Sequence, residues 1–345
     1  MSHLSDRSKG RAMLILATPC WALSFPVMKA LALEQQRLLP GAETWFLTAL
    51  GVTIRFGAAG LLMLPLWWLA GGGKFSRREF EQGLLLAFFG GAGILLQMDG
   101  LAYTAASTSA FLTQGYTVFI PLWVALTTRR WPSLKIFLSV VLVVGGVGVL
   151  ADLGWNSMKL GRGETETILA SLLFTAQILV LENPRYAANR PLPFSIIMFF
   201  AMAVFSAPLV WALAPSAAAC VHAYASLPAC GFMAVLVVVC TVGGYGLMNR
   251  WQRSVSATEA GLIYCIEPVC ASVMALFLPA WFSVWAGINY SNEQLTSRLI
   301  LGGALVTIAN VLMQSGWREP KRTPNLAASG TAPAILPTTR KDHDV

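Results

Sequence analysis

The chain has 345 residues, of which 56% are hydrophobic and only 12% charged, and its formal net charge is +8 at pH 7. Soluble domains carry about 25% charged residues, so this composition excludes an ordinary water-soluble fold. The positive charge is spread over short gaps and tails rather than gathered in one patch, which argues against a nucleic-acid partner.

Ten apolar segments follow one another, at 11–32, 46–70, 83–103, 105–128, 134–151, 164–182, 194–214, 228–249, 257–280 and 297–316. Most hold about 20 residues, enough to cross roughly 30 Å of hydrocarbon as a helix. The predicted fold is an all-α integral membrane bundle of ten transmembrane helices. Arg7, Lys9 and Arg11 precede the first segment, and Ala30-Leu31-Ala32 closes it, which imitates a cleavable signal peptide. Its length, Pro19, Pro26 and the charged Lys29 predict an uncleaved span instead.

Along the chain, Lys and Arg alternate between gaps. The N-terminus, every second gap and the C-terminus hold 18 of the 24 basic residues; the other gaps hold four, Arg37, Lys159, Arg162 and Arg298. Basic loops stay cytoplasmic, so both termini are predicted inside, with the bacterial inner membrane as the location. Trp45, Trp67, Trp68, Trp131, Trp155 and Trp281 sit near segment ends, where indoles anchor to the interface. Residues 318–345 are rich in Pro, Thr and charge and have little to bury, which predicts a disordered cytoplasmic tail.

The chain divides into residues 1–10, a first five-helix repeat at 11–160, a second at 161–317, and the tail at 318–345. The fourth and ninth segments echo each other, with Ala110 opposite Ala260 and Thr117 opposite Glu267. The fifth and tenth are both Gly-rich. Five spans per repeat is an odd number, so the two halves enter the membrane from opposite sides. Such an inverted repeat is the symmetry behind alternating access.

Several stretches carry a family likeness. CWALSFPVMKA (20–30) opens the first span, TIRFGAAGLLML (53–64) lies in the second, and GETETILASLLFTAQILV (163–180) starts the second repeat. LIYCIEPVCASVMALFLP (262–279), with Glu267-Pro268, is followed by NEQLT (292–296). In order and spacing these resemble the drug/metabolite transporter superfamily, and its EamA family in particular, over about residues 11–316. Two departures stand out: Thr117-Val118 replaces the Glu-Pro pair in the first repeat, and Asn292 replaces the usual Gly. The resemblance implies ten helices in two five-helix repeats and a central path open alternately to each side. It implies a small-molecule cargo, since members carry amino acids, other metabolites or toxic compounds.

A charge at mid-membrane costs about 3 kcal/mol or more, so it faces a cavity or a partner. Lys29 lies near the outer end of the first span, where a cavity and snorkelling both account for it. Arg55 is too deep in the second span to snorkel easily, which leaves a salt bridge or a substrate contact. Asp99, in the outer third of the third span, is expected to pair with Lys29 or Arg55. Glu259 is expected at the inner interface. Glu267 sits near the midplane beside Pro268, which frees a backbone carbonyl and predicts a kink; Pro121 predicts another. A carboxylate at such a kink suits a coupling or substrate site, and equally a protonated hydrogen bond to a neighbouring helix.

Neutral groups add a second layer: Gln97, Gln114, Tyr116, Gln177, Tyr245, Asn249 and Tyr264, with Trp21 in mid-span. Isolated Gln residues also serve as interhelical glue. The substrate or coupling set read from the sequence is Trp21, Lys29, Arg55, Gln97, Asp99, Gln114, Gln177, Tyr264 and Glu267. The Gly clusters at 89–93, 145–148, 243–246 and 301–304 allow close helix approach, as static packing or as moving parts.

No catalytic set emerges. His3, His222 and His343 lie in tails or a loop, and the six Cys form no CxxC, although Cys220 and Cys230 flank one outer gap and could pair. No metal-ligand set, cofactor motif or Walker loop is present, and no repeated charged ring suggests a channel. A secondary transporter driven without direct ATP is the expectation, with protons as a candidate coupling ion and export as the favoured direction. A membrane enzyme or scaffold is the alternative, and the oligomeric state stays open.

Overall fold

The computed structural model describes residues 6–127, 129, 134–150, 160–255, 260 and 263–314, and all regular structure among them is helical. Glu259, Trp131, Trp155, the first five residues and the tail lie outside the described residues.

In chain order the helices are α1 (Asp6–Leu38), α2 (Thr44–Leu69), α3 (Arg77–Gly100), α4 (Ala106–Thr113), α5 (Tyr116–Thr127), α6 (Leu134–Leu150) and α7 (Arg162–Leu181). They continue as α8 (Pro191–Leu213), α9 (Ala217–His222), α10 (Leu227–Val235), α11 (Gly244–Trp251), α12 (Glu267–Ala275), α13 (Leu278–Ala286) and α14 (Ser297–Gln314). A π-helical stretch, Leu236–Gly243, joins α10 to α11.

Seven helical stretches are long and apolar enough to cross a membrane: Arg7–Leu38, Thr44–Leu69, Arg77–Gly100, Ala106–Thr127, Arg162–Leu181, Pro191–Leu213 and Leu227–Trp251. The α12–α13 pair passes the same test as one span bent by 51°, and α6 and α14 are shorter apolar helices. Large apolar side chains stand outward, with Trp211 88% and Val284 87% exposed, as a lipid-facing surface permits and a water-facing one does not.

Local chemistry sets the ends. Ser76 and Glu79 form a capping box at the start of α3, with Ser76 Oγ accepting from Glu79 N at 3.1 Å and Glu79 Oε2 accepting from Ser76 N at 2.7 Å. α13 stops at Gly287, whose φ of 66° places it in the left-handed region that favours glycine. The kink expected inside the ninth segment is instead a break: residues 265–266 form a turn, and α12 starts at Glu267 with Pro268 in its first turn, where the missing N–H costs nothing. The fourth segment breaks too, at Gln114 and Gly115, while α5 runs on through position 121.

Packing is dominated by α2 on α8, α3 on α7 and α8, α6 on α14, and α1 on α11 and α12. Glycines set the closest approaches. A Cβ on Gly146 would meet Gly302 O at 2.9 Å, and one on Gly302 would meet Gly146 O at 3.0 Å, so α6 and α14 touch glycine to glycine. All six cysteines are free, Cys220 and Cys230 included.

Polar loops meet at two ends of the bundle. At one end, Arg190 grips Glu79 through two bonds of 2.7 and 3.0 Å, Arg185 bonds Glu81 at 2.8 Å, and Gln252 Nε2 donates to Glu182 Oε1 at 3.1 Å. The hydrogen bond and charge of Glu79 raise the pKa of the Arg190 guanidinium. At the other end, Ser226 Oγ donates to Glu34 Oε1 at 2.6 Å, and Arg162 reaches Tyr103 Oη at 2.7 Å.

Candidate functional site

A cavity of about 110 Å³ opens between α1, α2, α3, α4, α5, α7, α8, α11 and α12. Its wall is mostly apolar, with Phe25, Leu86, Ile94, Phe174, Ile178 and Met198 among the lining residues. At one extremity stand Leu181, the last residue of α7, and Gln252, just past α11, both partly exposed.

Six of the sequence-predicted residues line this cavity: Trp21, Arg55, Gln97, Gln177, Tyr264 and Glu267. So do Tyr116, Tyr245 and Asn249. Glycines hold several of these side chains in place. A Cβ on Gly90 would lie 2.2 Å from Gln177 Nε2, one on Gly93 2.6 Å from Phe174 Cε1, and one on Gly244 2.5 Å from Trp21 Nε1. The Gly clusters of the third and eighth segments are therefore seats for cavity-wall side chains.

The aromatic part of the wall is continuous. Trp21 meets Tyr264 edge-on at 5.4 Å between centroids and Tyr245 at 6.0 Å, and Tyr245 meets Phe199 at 5.9 Å. Edge-to-face pairs of this kind are favoured by ring quadrupoles and make a rigid wall. Polar groups are held between helices. Gln97 Nε2 donates to Thr113 Oγ1 at 2.8 Å, Asn249 Nδ2 to Ser195 Oγ at 2.7 Å, and Tyr264 Oη to Gln252 Oε1 at 2.9 Å.

One basic side chain and one carboxylic acid are among the described residues that line the cavity. Arg55 is 2% exposed. Its Nε donates to Thr241 Oγ1 at 2.7 Å and its Nη1 to Met28 Sδ at 3.3 Å, while its guanidinium lies 5.3 Å from the Phe56 ring centre. Thr241 belongs to the π-helical stretch and bonds back to Leu236 O at 2.8 Å, five residues earlier. Such stretches gather at functional sites because the extra residue per turn re-aims side chains. Glu267 is buried, and its Oε2 accepts from Gln114 Nε2 at 3.3 Å. Among the described residues neither Arg55 nor Glu267 forms a salt bridge.

Three predicted residues lie elsewhere. Gln114 stands behind Glu267, donating also to Tyr264 O at 3.1 Å. Lys29 Nζ donates to Thr104 O. Asp99 does not make the expected pair with Lys29 or Arg55; its partner is Arg162, at 2.5 Å from Nη2 to Oδ2. Arg162 opens α7 in the same layer and is 42% exposed, so its long stem brings a surface guanidinium down to a fully buried carboxylate. Pairing with a half-solvated charge costs less desolvation than bringing a buried Arg55 across the bundle.

Sequence reasoning missed Ser24, Thr113 and Gln252. Gln252 had a signal: it follows Tyr245 by seven positions and Met248 by four, one helical face. The apolar lining had none, because in a membrane chain apolar residues are everywhere.

Residues 8–151 match the model of the EamA-like transporter family. That stretch, somewhat under half of the chain, is similar to this family of the drug/metabolite transporter superfamily. It is a transmembrane protein of transporter type. No curated protein matches it in sequence. A solved structure described only as "Crystal structure of protein" is similar with a TM-score of 0.56 and 15% identity, over 88% of this chain and 96% of the other. At that identity the likeness concerns the fold alone, and it extends into the half that the family match leaves uncovered.

Proposed function

We propose that the chain is a secondary active transporter that moves a small metabolite or drug-like compound across the bacterial inner membrane by alternating access, with export as its direction. In this reading ten spans form two inverted repeats, 11–160 and 161–317, with both termini in the cytoplasm. The observation that carries it is the cavity, walled by helices of both halves, with Leu181 and Gln252 from the end of α7 and just past α11 in its lining.

The packing supports the repeat. Numbering the predicted spans one to ten, five steps exchange span three with eight and six with one. Span three seats Gln177 and Phe174 of span six on Gly90 and Gly93, and span eight seats Trp21 of span one on Gly244. Both breaks, at 114–115 and 265–266, fall in spans related by the same five steps, and Gln114 bonds its counterpart Tyr264. The loop contacts obey the predicted sidedness. Glu79 with Arg190 and Glu182 with Gln252 join predicted inner gaps, while Glu34 with Ser226 and Tyr103 with Arg162 join predicted outer ones. The cavity then opens inward, on the side where Glu182 and Gln252 meet.

Glu267 is the group we assign to coupling, with protons as the ion. A broken helix that exposes a carboxylate to a central cavity is how transporter sites are commonly built. The test is counterflow in liposomes with a panel of labelled amino acids, organic acids and cationic dyes. Wild type should exchange at least one compound, and Glu267→Gln should abolish or uncouple that exchange while remaining folded and inserted. Full exchange by Glu267→Gln would remove the coupling role, and no exchange of any compound by wild type would favour a membrane scaffold or enzyme. A reporter fused after Gln314 should read cytoplasmic, and one near Ser226 external.

A further inference from the structure

We infer that Arg55 is the anion-recognition group of the cavity and that the cargo is an organic carboxylate with an apolar body. This rests on the transport reading above. A guanidinium stays charged at any working pH and holds more N–H donors than Arg55 uses. Its Nε is taken by Thr241 and one Nη1 contact goes to a thioether sulfur, a weak acceptor; Nη2 donates to no group among the described residues. Every other buried or half-buried cation described at the opposite end, Lys29 and Arg162, has a carbonyl or carboxylate. A buried, uncompensated cation is costly, and a protein retains one where a ligand supplies the counter-charge.

The class of anion follows from the wall. A planar fork of N–H groups matches the two oxygens of a carboxylate, and Arg makes this bidentate contact where Lys cannot. Arg55 is the one cation among the described lining residues, so with Glu267 protonated the site offers one positive charge, which suits a monocarboxylate rather than a phosphate dianion. Around them the wall is Phe25, Leu86, Phe174, Met198 and the Trp21–Tyr245–Tyr264 rings, which call for an apolar or aromatic body. Thr241, held in the π-helical stretch by its bond to Leu236 O, takes the Arg55 Nε, so the guanidinium is anchored before any ligand arrives.

The probes are matched pairs that differ only at the acid: phenylacetate and phenylacetamide, hexanoate and hexanamide, with benzylphosphonate, read at a pH above its second ionisation, as the dianion. Binding is read by tryptophan fluorescence and thermal shift on the purified full chain in detergent. In wild type at least one acid should bind about tenfold or more tighter than its amide, as a charge-assisted bidentate bond requires. Arg55→Gln should erase that preference, and Arg55→Lys should keep only part of it. Equal affinities within every pair, absence of acid binding, a preference that survives Arg55→Gln, or tighter binding of benzylphosphonate would each overturn the inference. The wild-type comparison decides by itself if Arg55→Gln does not fold. Because no transport is measured, this binding preference and the counterflow of Glu267→Gln can fail independently.

Discussion

At the end of the bundle that holds Asp99 and Glu293, the buried or half-buried carboxylates and Lys29 are matched within the protein. Asp99 meets Arg162, Thr104 Oγ1 donates to Glu164 Oε1 at 2.6 Å while its carbonyl takes Lys29, and Glu293 accepts from Ala106 N at 2.7 Å and from Ser107 Oγ. In the cavity the arrangement is the opposite. Arg55 and Glu267 are as deeply buried, share one wall, and form no salt bridge with any described residue. The contrast separates two uses of intramembrane charge. A compensated charge fixes geometry, whereas an uncompensated one keeps a high-energy contact open for a ligand or a proton.

Apart from the substitutions of Arg55 and Glu267, the largest expected effect comes from disturbing the cavity wall without touching either charge. In Gly93→Val the new side chain begins 2.6 Å from the Phe174 ring, which is stiff and packed. Overpacking of this kind costs about 1–3 kcal/mol and would push the ring into the cavity. Exchange in liposomes should fall about tenfold or more, in line with that range. Gly145→Val and Gly148→Val are the controls, since a Cβ there meets nothing within 4 Å. Normal exchange by Gly93→Val, or an equal loss in the controls, would show that the wall is not what transport depends on.

The second prediction concerns the compensated side. Arg162→Ala strands the buried Asp99 carboxylate and should lower stability by about 2 kcal/mol, less than for a fully buried pair because Arg162 is half-solvated. Asp99→Asn added to it should recover most of that loss, since a neutral amide needs no counter-ion. Exchange per folded molecule should stay near wild type in both. Thermal unfolding in detergent and a double-mutant cycle read this; an additive outcome would mean that the two groups do not act on each other.

Much of this is legible in the sequence. Long uninterrupted apolar runs predict an all-helical membrane protein, because only a helix satisfies its backbone in hydrocarbon. Depth within a run selected Arg55 and Glu267, which face the cavity, and polarity selected Gln97 and Gln177. What failed was partner choice. Asp99 was matched to the charges inside spans, but Arg162 sits at a helix start, and an exposed anchor with a long stem reaches a layer that counting from the end places beyond it. The break at residues 265–266 looks like a kink in the sequence, because a proline near a helix start and a proline inside a helix look alike in one dimension.

The smallest effect should come from Glu293, and its origin is local. α4 begins after Ala105, whose side chain offers no acceptor, so the first amides of the helix have no cap of their own. Glu293, from the loop before α14, supplies one: Oε1 accepts from Ala106 N at 2.7 Å and from Ser107 N at 3.4 Å, and Oε2 accepts from Ser107 Oγ. Its own N–H donates to Ala275 O at 2.9 Å, at the end of α12, so one residue ties the loop to both broken spans. Losing a cap and a negative charge at a helix N-terminus costs about 1 kcal/mol. Glu293→Ala should therefore lower the apparent Tm by about 2 °C, and Glu293→Gln, which keeps an acceptor without the charge, by roughly half of that. Exchange should persist in both, because neither the cavity wall nor its charges are touched. Unchanged stability in Glu293→Ala would show that water replaces the carboxylate at no cost. Loss of exchange in Glu293→Gln at full stability would move Glu293 from the compensated side of the comparison to the functional one.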